Sequence, residues 1–183
     1  KLAGQHERYI ARQLALYKSG ERNNAIMLGF ASTLSAQDMR DIGAYFASQK
    51  VVPGVADDTV IASGPNADRK FFEVGERLYR YGNPDQGVPA CQACHGPDGR
   101  GNPGPSWPQL GGQHAGYTAN ALIAFRDGMV WGKDANANAL MAGVAGNLTD
   151  EEIQALATYI EGLHNVADAP SEEAVADAAP PQG

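Results

Sequence analysis

Cys91-Gln92-Ala93-Cys94-His95 is the most informative pentapeptide in this chain. Two cysteines separated by two residues and followed at once by histidine form the C-x-x-C-H pattern of covalent haem attachment. Two thiols at this spacing reach both vinyl groups of one porphyrin, and the imidazole that follows lies beneath the iron. The motif therefore predicts haem c held by Cys91 and Cys94, with His95 as an axial ligand.

Three other uses of a C-x-x-C pair are a disulfide, a redox dithiol and half of a zinc site. The chain contains only these two cysteines. A redox dithiol is typical of a βαβ context, and the sequence shows no such pattern. A zinc ribbon needs a second Cys or His pair at similar spacing, and none follows. Haem attachment is therefore the favoured interpretation.

Composition limits the fold and the partners. The chain has 183 residues, enough for one ordinary domain or two small ones, with 22 glycines, 11 prolines and only 19% charged residues. This composition favours short helices joined by long ordered loops. The formal net charge is -7, which makes nucleic acid an unfavourable partner.

Neither the start of the chain nor its interior reads as a targeting signal or a membrane span. No apolar run approaches the roughly 18 residues of a membrane span. The first residues do not read as a signal peptide either. Because haem thioethers in bacteria are formed outside the cytoplasm, we expect a processed or truncated exported chain that works in the periplasm.

Apolar periodicity and capping residues predict the secondary structure. Met27 and Met141 are predicted to lie in loops between helices. Residues 51–69 read as an extended linker, and the Ala-, Glu- and Pro-rich tail 165–183 as disordered and acidic. The predicted helices are 7–19, a Ser35-capped helix with Asp38 completing a capping box, 69–81, 117–127 and a Thr149-capped last helix.

An internal repeat relates the two ends of the chain. Residues 2–6 (Leu-Ala-Gly-Gln-His) match residues 110–114 (Leu-Gly-Gly-Gln-His) at an offset of 108, and Asn24 to Met27 matches Asn138 to Met141 at an offset of 114. We interpret this as a duplicated domain. The predicted units are a partial first copy, 1–50, which lacks C-x-x-C-H; the linker, 51–69; a complete copy, 70–164; and the tail, 165–183.

A second axial ligand must come from elsewhere in the chain. The candidates are Met141, Met129, His114 and His164. Methionine sulfur is a soft, neutral ligand that favours ferrous iron. Met141 also recurs in the repeat, as Met27, whereas Met129 has no counterpart. Met141 is therefore the predicted distal ligand.

Several other residues have weaker predicted roles. A loop carbonyl, that of Pro105 or Pro108, is a candidate acceptor for the Nδ1 proton of His95. Arg126 could neutralise a haem propionate or could be an ordinary solvated helix residue. The tryptophans are expected to line the haem pocket or pack in the core rather than relay electrons, and the tyrosines to pack in helices rather than contact haem. These are Trp107, Trp131, Tyr79 and Tyr81.

The order of helix, C-x-x-C-H, glycine-rich loop, helix, methionine and closing helix resembles a class I cytochrome c. This resemblance implies an all-α fold of short helices and long Gly/Pro loops packed round haem c. The repeated Leu-x-Gly-Gln-His-x-x-Tyr, followed by a methionine and an acidic capped helix, resembles the two-domain dihaem cytochrome c4 family over residues 1–50 and about 70–164. The resemblance implies thioethers at Cys91 and Cys94 and an axial pair of His95 and Met141. It also implies that Met27 would ligate a second haem if an upstream segment exists.

The resemblance implies a one-electron carrier rather than an enzyme, with a terminal oxidase or an upstream cytochrome complex as redox partner. One alternative is a haem subunit of a larger membrane oxidoreductase. Another is a haem peroxidase or reductase, which needs an open iron position with acid and base residues above it. The sequence shows no such distal histidine and arginine arrangement.

Overall fold

The computed structural model describes residues 1–129, 131–133 and 135–165. Within those ranges the regular secondary structure is helical, with isolated β-bridges only, which confirms the predicted all-α class. None of the described helices combines the length and apolar character that crossing a membrane requires. The helices are α1 (Glu7–Ser19), α2 (Ala25–Ala31), α3 (Ala36–Ala47), α4 (Phe71–Tyr81), α5 (Gln92–His95), α6 (Ala115–Arg126), α7 (Ala135–Ala145) and α8 (Asp150–Gly162), with a 3-10 turn at Pro84–Gln86.

The predicted loops around the two methionines are wrong. Met27 lies in α2 and Met141 lies in α7. Both helices are short and consist largely of alanine, glycine and apolar residues, so they show little alternation of polar and apolar faces. Alanine has the highest helix propensity, and Asn24 caps α2 by accepting the Met27 N–H at 2.9 Å.

The two predicted capping boxes are confirmed. The Ser35 hydroxyl accepts the Asp38 N–H, and the Asp38 carboxylate accepts the Ser35 N–H, at the start of α3. Thr149 and Glu152 make the same reciprocal pair at the start of α8. Each box satisfies two backbone donors that the helix itself leaves free, and so fixes where the helix begins.

The main hydrophobic core lies where α4 crosses α8, with α6 and α7 alongside. Gly75 makes the crossing close, since a Cβ at this position would overlap the Ala155 carbonyl oxygen. The side chains of Val74, Leu78 and Tyr79 on α4 are fully buried. Tyr81 was predicted to pack within this helix, but it lies at the surface and is 70% exposed.

Residues 51–69 follow the surface of α8 without regular structure. The Gly54 N–H donates to the Glu161 carbonyl at 2.8 Å, and the Asp57 N–H donates to the Thr158 hydroxyl. Ile61 is 4% exposed and belongs to the main core. This segment is therefore tied to the second half of the chain along its length.

The first half of the chain has a small core of its own, formed by Ile10, Leu14 and Met39 of α1 and α3. Its three helices follow one another in the same order as α6, α7 and α8. The predicted disordered tail lies outside the described residues, apart from Asn165, whose side chain donates to Asp98.

Candidate haem-binding site

The C-x-x-C-H motif forms one helical turn. Cys91 precedes α5, and its carbonyl accepts the His95 N–H at 3.0 Å. Cys91 is partly buried against the main core, and burial raises the pKa of its thiol to about 11, whereas Cys94 is exposed. The two thiols are not joined in a disulfide.

His95 is held in one tautomer. Its side chain is 7% exposed, and Nδ1 lies 2.9 Å from the Pro108 carbonyl oxygen. Because a carbonyl only accepts, Nδ1 carries the proton and the lone pair of Nε2 remains available to a metal. Burial lowers the pKa of His95, which keeps the imidazole neutral. The predicted carbonyl acceptor is confirmed as Pro108 rather than Pro105.

The loop after the motif brings Pro108 back to His95. The Gly101 N–H donates to the His95 carbonyl at 2.8 Å, and Gly101 has a φ of +71°. A Cβ at Gly101 would overlap the carbonyl oxygens of Trp107 and Pro108. Glycine is therefore needed here both for its left-handed conformation and for the close approach of the Pro108 carbonyl.

Tyr79 supports the other side of the motif and was not recognised in the sequence as part of it. Its hydroxyl donates to the Gly96 carbonyl at 2.7 Å, and its ring contacts Tyr159 at 5.5 Å between centroids. Burial is the main reason why the pKa of this phenol is raised. The only sequence signal was a tyrosine beside Leu78 in α4, which does not distinguish core packing from support of the site.

Met141 is the candidate distal ligand that lies against the main core. It is partly buried and packs on the same cluster as Cys91 and Phe125. The other candidates lie at the surface: Met129 is 51% exposed, His164 is exposed, and His114 lies 3.6 Å from the Glu161 carboxylate.

The remaining predicted residues have protein partners. Arg126 pairs with the Asp150 carboxylate at 2.7 Å and donates to the Leu148 carbonyl, so it joins α6 to the start of α8. Trp131 contacts the Phe125 ring at 4.9 Å between centroids, as expected for a packing residue.

These donors fit covalent haem. The thiols of Cys91 and Cys94 follow the attachment spacing, His95 has a neutral imidazole with Nε2 available, and Met141 supplies a thioether near the same core. Within the described residues, no cluster of three or more His, Cys, Asp or Glu side chains suggests a separate metal site.

Comparison with known proteins gives the family. The cytochrome c family model matches residues 73–164. Cytochrome c4 of Stutzerimonas stutzeri is 43% identical over 173 residues, which cover 90% of this chain and 76% of that protein. The chain belongs to the cytochrome c4 family. It therefore carries covalently bound haem c and acts in electron transport with redox protein partners.

The structural comparison confirms the predicted class I cytochrome c fold. The crystal structure of reduced recombinant cytochrome c4 from Pseudomonas stutzeri superposes with a TM-score of 0.78, covering 90% of this chain and 84% of that chain at 43% identity. A more distant relative is the thiosulfate dehydrogenase electron acceptor of Thiomonas intermedia (strain K12). It is 35% identical over 160 residues, which cover 87% of this chain and 68% of that protein.

Proposed function

We propose that this member of the cytochrome c4 family is a periplasmic one-electron carrier with His/Met-ligated haem c. Cys91 and Cys94 form the thioethers, and His95 and Met141 are the axial ligands. The observation that carries the proposal is the fixed tautomer of His95, whose Nδ1 is engaged by the Pro108 carbonyl while Nε2 is left to the iron. Haem c supplies a metal centre that gains and loses one electron.

The protein groups around the site are suited to a centre that changes charge without changing ligands. The Pro108 carbonyl fixes the imidazole, and Tyr79 and Gly101 hold the C-terminal end of the motif turn through the carbonyls of Gly96 and His95. Ligands that do not move keep the reorganisation energy of electron transfer small. Two protein ligands also leave no open iron position for a substrate. The arrangement supports a carrier rather than a peroxidase.

The first copy of the repeat contributes Met27. It lies in α2 as Met141 lies in α7, and it packs against the small core of Ile10, Leu14 and Met39. We propose that Met27 is the corresponding axial ligand of a second haem in a chain that also includes an attachment motif for this copy. The proposed units remain 1–50, 51–69, 70–164 and the tail 165–183.

A terminal oxidase is the proposed electron acceptor. The relative from Thiomonas intermedia supports a second role, because its name describes an electron acceptor of thiosulfate dehydrogenase. In that case a dehydrogenase would reduce this chain. Stopped-flow mixing separates the two roles: the reduced protein is mixed with an oxidised terminal oxidase, and the oxidised protein with a reduced dehydrogenase. Electron transfer with a physiological partner should finish in milliseconds, and its rate should depend steeply on ionic strength.

The sixth iron position provides the decisive test of the proposed ligands. Reduced wild-type protein should not bind carbon monoxide readily, whereas Met141→Ala should keep its covalent haem and bind carbon monoxide. In residues 1–183, which contain a single C-x-x-C-H motif, Met27→Ala is the matched control, and its spectrum should be that of the wild type. Ready carbon monoxide binding by the wild type, or an unchanged six-coordinate spectrum in Met141→Ala, would refute the assignment.

A further inference from the structure

Gln5, in the first half of the chain, reaches the haem-binding half through a buried side chain. It is 7% exposed. Its Oε1 accepts the Gln109 N–H at 2.9 Å, and its Nε2 donates to the Gln109 carbonyl at 3.0 Å. Oε1 also accepts the His6 N–H at 3.0 Å. Two backbone donors converge on Oε1 and a carbonyl faces Nε2, so the amide has one orientation that satisfies all three contacts.

The Gln109 N–H belongs to the same peptide group as the Pro108 carbonyl. That carbonyl accepts the Nδ1 proton of His95 at 2.9 Å. One peptide group therefore stands between two side chains from opposite halves of the chain. It donates to Gln5 through its N–H and accepts from His95 through its oxygen.

We propose that Gln5 is a positioning residue for the axial ligand His95, acting through the Pro108–Gln109 peptide group. The proposal rests on the haem site of the proposed function and adds an influence of the first half of the chain on that site. Gln5 fixes the plane of the peptide group, and so fixes the direction of the Pro108 carbonyl towards Nδ1.

The same hydrogen bonds also act on the electronic properties of the ligand. Hydrogen bonds in a chain polarise one another, so a peptide group whose N–H donates is a better acceptor at its oxygen. A stronger bond to Nδ1 makes the imidazole a better electron donor to the metal. Such a ligand stabilises ferric iron, so Gln5 lowers the reduction potential of the haem on His95.

The internal repeat supplies a matched control. Gln113 corresponds to Gln5 and makes the same paired contacts to the backbone of Lys1. It accepts from the Lys1 backbone nitrogen and donates to the Lys1 carbonyl at 2.9 Å. Its Oε1 likewise accepts the N–H of the next residue, His114. Both glutamines join the two halves by one bonding pattern, but the backbone held by Gln113 does not contact His95.

The experiment compares Gln5→Met and Gln113→Met in the haem-loaded full chain. Methionine keeps most of the side-chain volume and removes all three side-chain hydrogen bonds, including the two to the Gln109 backbone. Gln5→Met should raise the reduction potential, and amide hydrogen exchange at Gln109 should accelerate about tenfold, the factor expected for one lost hydrogen bond. Gln113→Met should leave both the potential and the Gln109 exchange at wild-type values.

Two results would overturn the proposal. Equal shifts of potential in both variants would show a general loosening between the halves, and faster Gln109 exchange without a shift of potential would show that Gln5 does not act on the iron. Failure of the proposed ligand set is recognised separately, because reduced wild-type protein would then bind carbon monoxide readily. The exchange rate of the Gln109 amide does not depend on the iron ligands. An unchanged rate in Gln5→Met therefore contradicts the proposal whether or not the ligand set is correct.

Discussion

The last helices of the two repeat copies, α3 and α8, differ in how deeply they are buried. Tyr45 and Tyr159 occupy corresponding positions, but Tyr45 is 62% exposed, whereas the Tyr159 ring contacts the buried ring of Tyr79. The described side chains of α8 are mostly buried, while α3 buries only Met39 and Gly43. Helix α4 accounts for the difference, because it covers the outer face of α8, and α3 has no such neighbour among the described residues.

The copies nevertheless share their local backbone contacts. The Gly4 N–H donates to the Phe46 carbonyl at 2.8 Å, and the Gly112 N–H donates to the corresponding Ile160 carbonyl at 2.9 Å. Both closing helices also begin with a capping box. The comparison teaches that both copies share the same caps and turn contacts, and that the last helix is deeply buried in the copy where α4 packs against it.

We expect the largest loss of folding stability from a substitution where α4 meets α8. In Gly75→Ala the new methyl group would overlap the Ala155 carbonyl, so the helices must separate. Overpacking of this kind costs about 3 kcal/mol. Urea denaturation should show the loss, and the purified variant should contain less covalent haem than the wild type.

Gly29 provides the matched control in the first copy. A Cβ at this position would meet no atom within 4 Å, so Gly29→Ala should cost nothing and could gain up to about 1 kcal/mol of helix propensity. Similar stability losses in the two variants would show that the α4–α8 crossing has no special role.

Local signals in the sequence were sufficient for much of this architecture. Ser35 and Thr149 identified the starts of α3 and α8, and the spacing of Cys91, Cys94 and His95 predicted a haem-attachment motif, which the structure shows as one helical turn. Such features are readable because the interacting residues lie within four positions of one another.

The features that sequence reasoning missed are either weakly patterned or non-local. The helices around Met27 and Met141 lack an amphipathic face, so apolar periodicity gave no sign of them. The contact between Gln5 and Gln109 joins residues 104 positions apart. The repeat marked Gln5 as a shared residue, but its partner is set by how the two halves meet, which local sequence does not reveal.

The two capping boxes should differ in their contribution to folding stability, by less than the loss expected for Gly75→Ala. The Thr149 box is partly buried and opens the helix that α4 covers, whereas the Ser35 box is exposed. Loss of a cap costs about 0.5–2 kcal/mol, so we expect Thr149→Ala to lie near the upper end and Ser35→Ala near the lower end. Denaturant titrations of both variants measure the difference, and a larger loss in Ser35→Ala would contradict this ranking.

The smallest effect concerns acid stability in the first copy. The Ser35 hydroxyl and N–H donate to the Asp38 carboxylate and lower its pKa. A carboxyl whose pKa is lower when folded stabilises the protein above the unfolded pKa of about 3.9, and this contribution is lost as pH falls through the folded pKa. Because Asp38 is fully exposed, the effect is small.

Asp38→Asn should weaken the decline of stability between about pH 5 and pH 2. Asp41→Asn removes a carboxylate from the same helix but leaves the capping box intact, so it should retain the wild-type decline. Equal pH profiles for the two variants would show that the capping box does not govern acid unfolding of this copy.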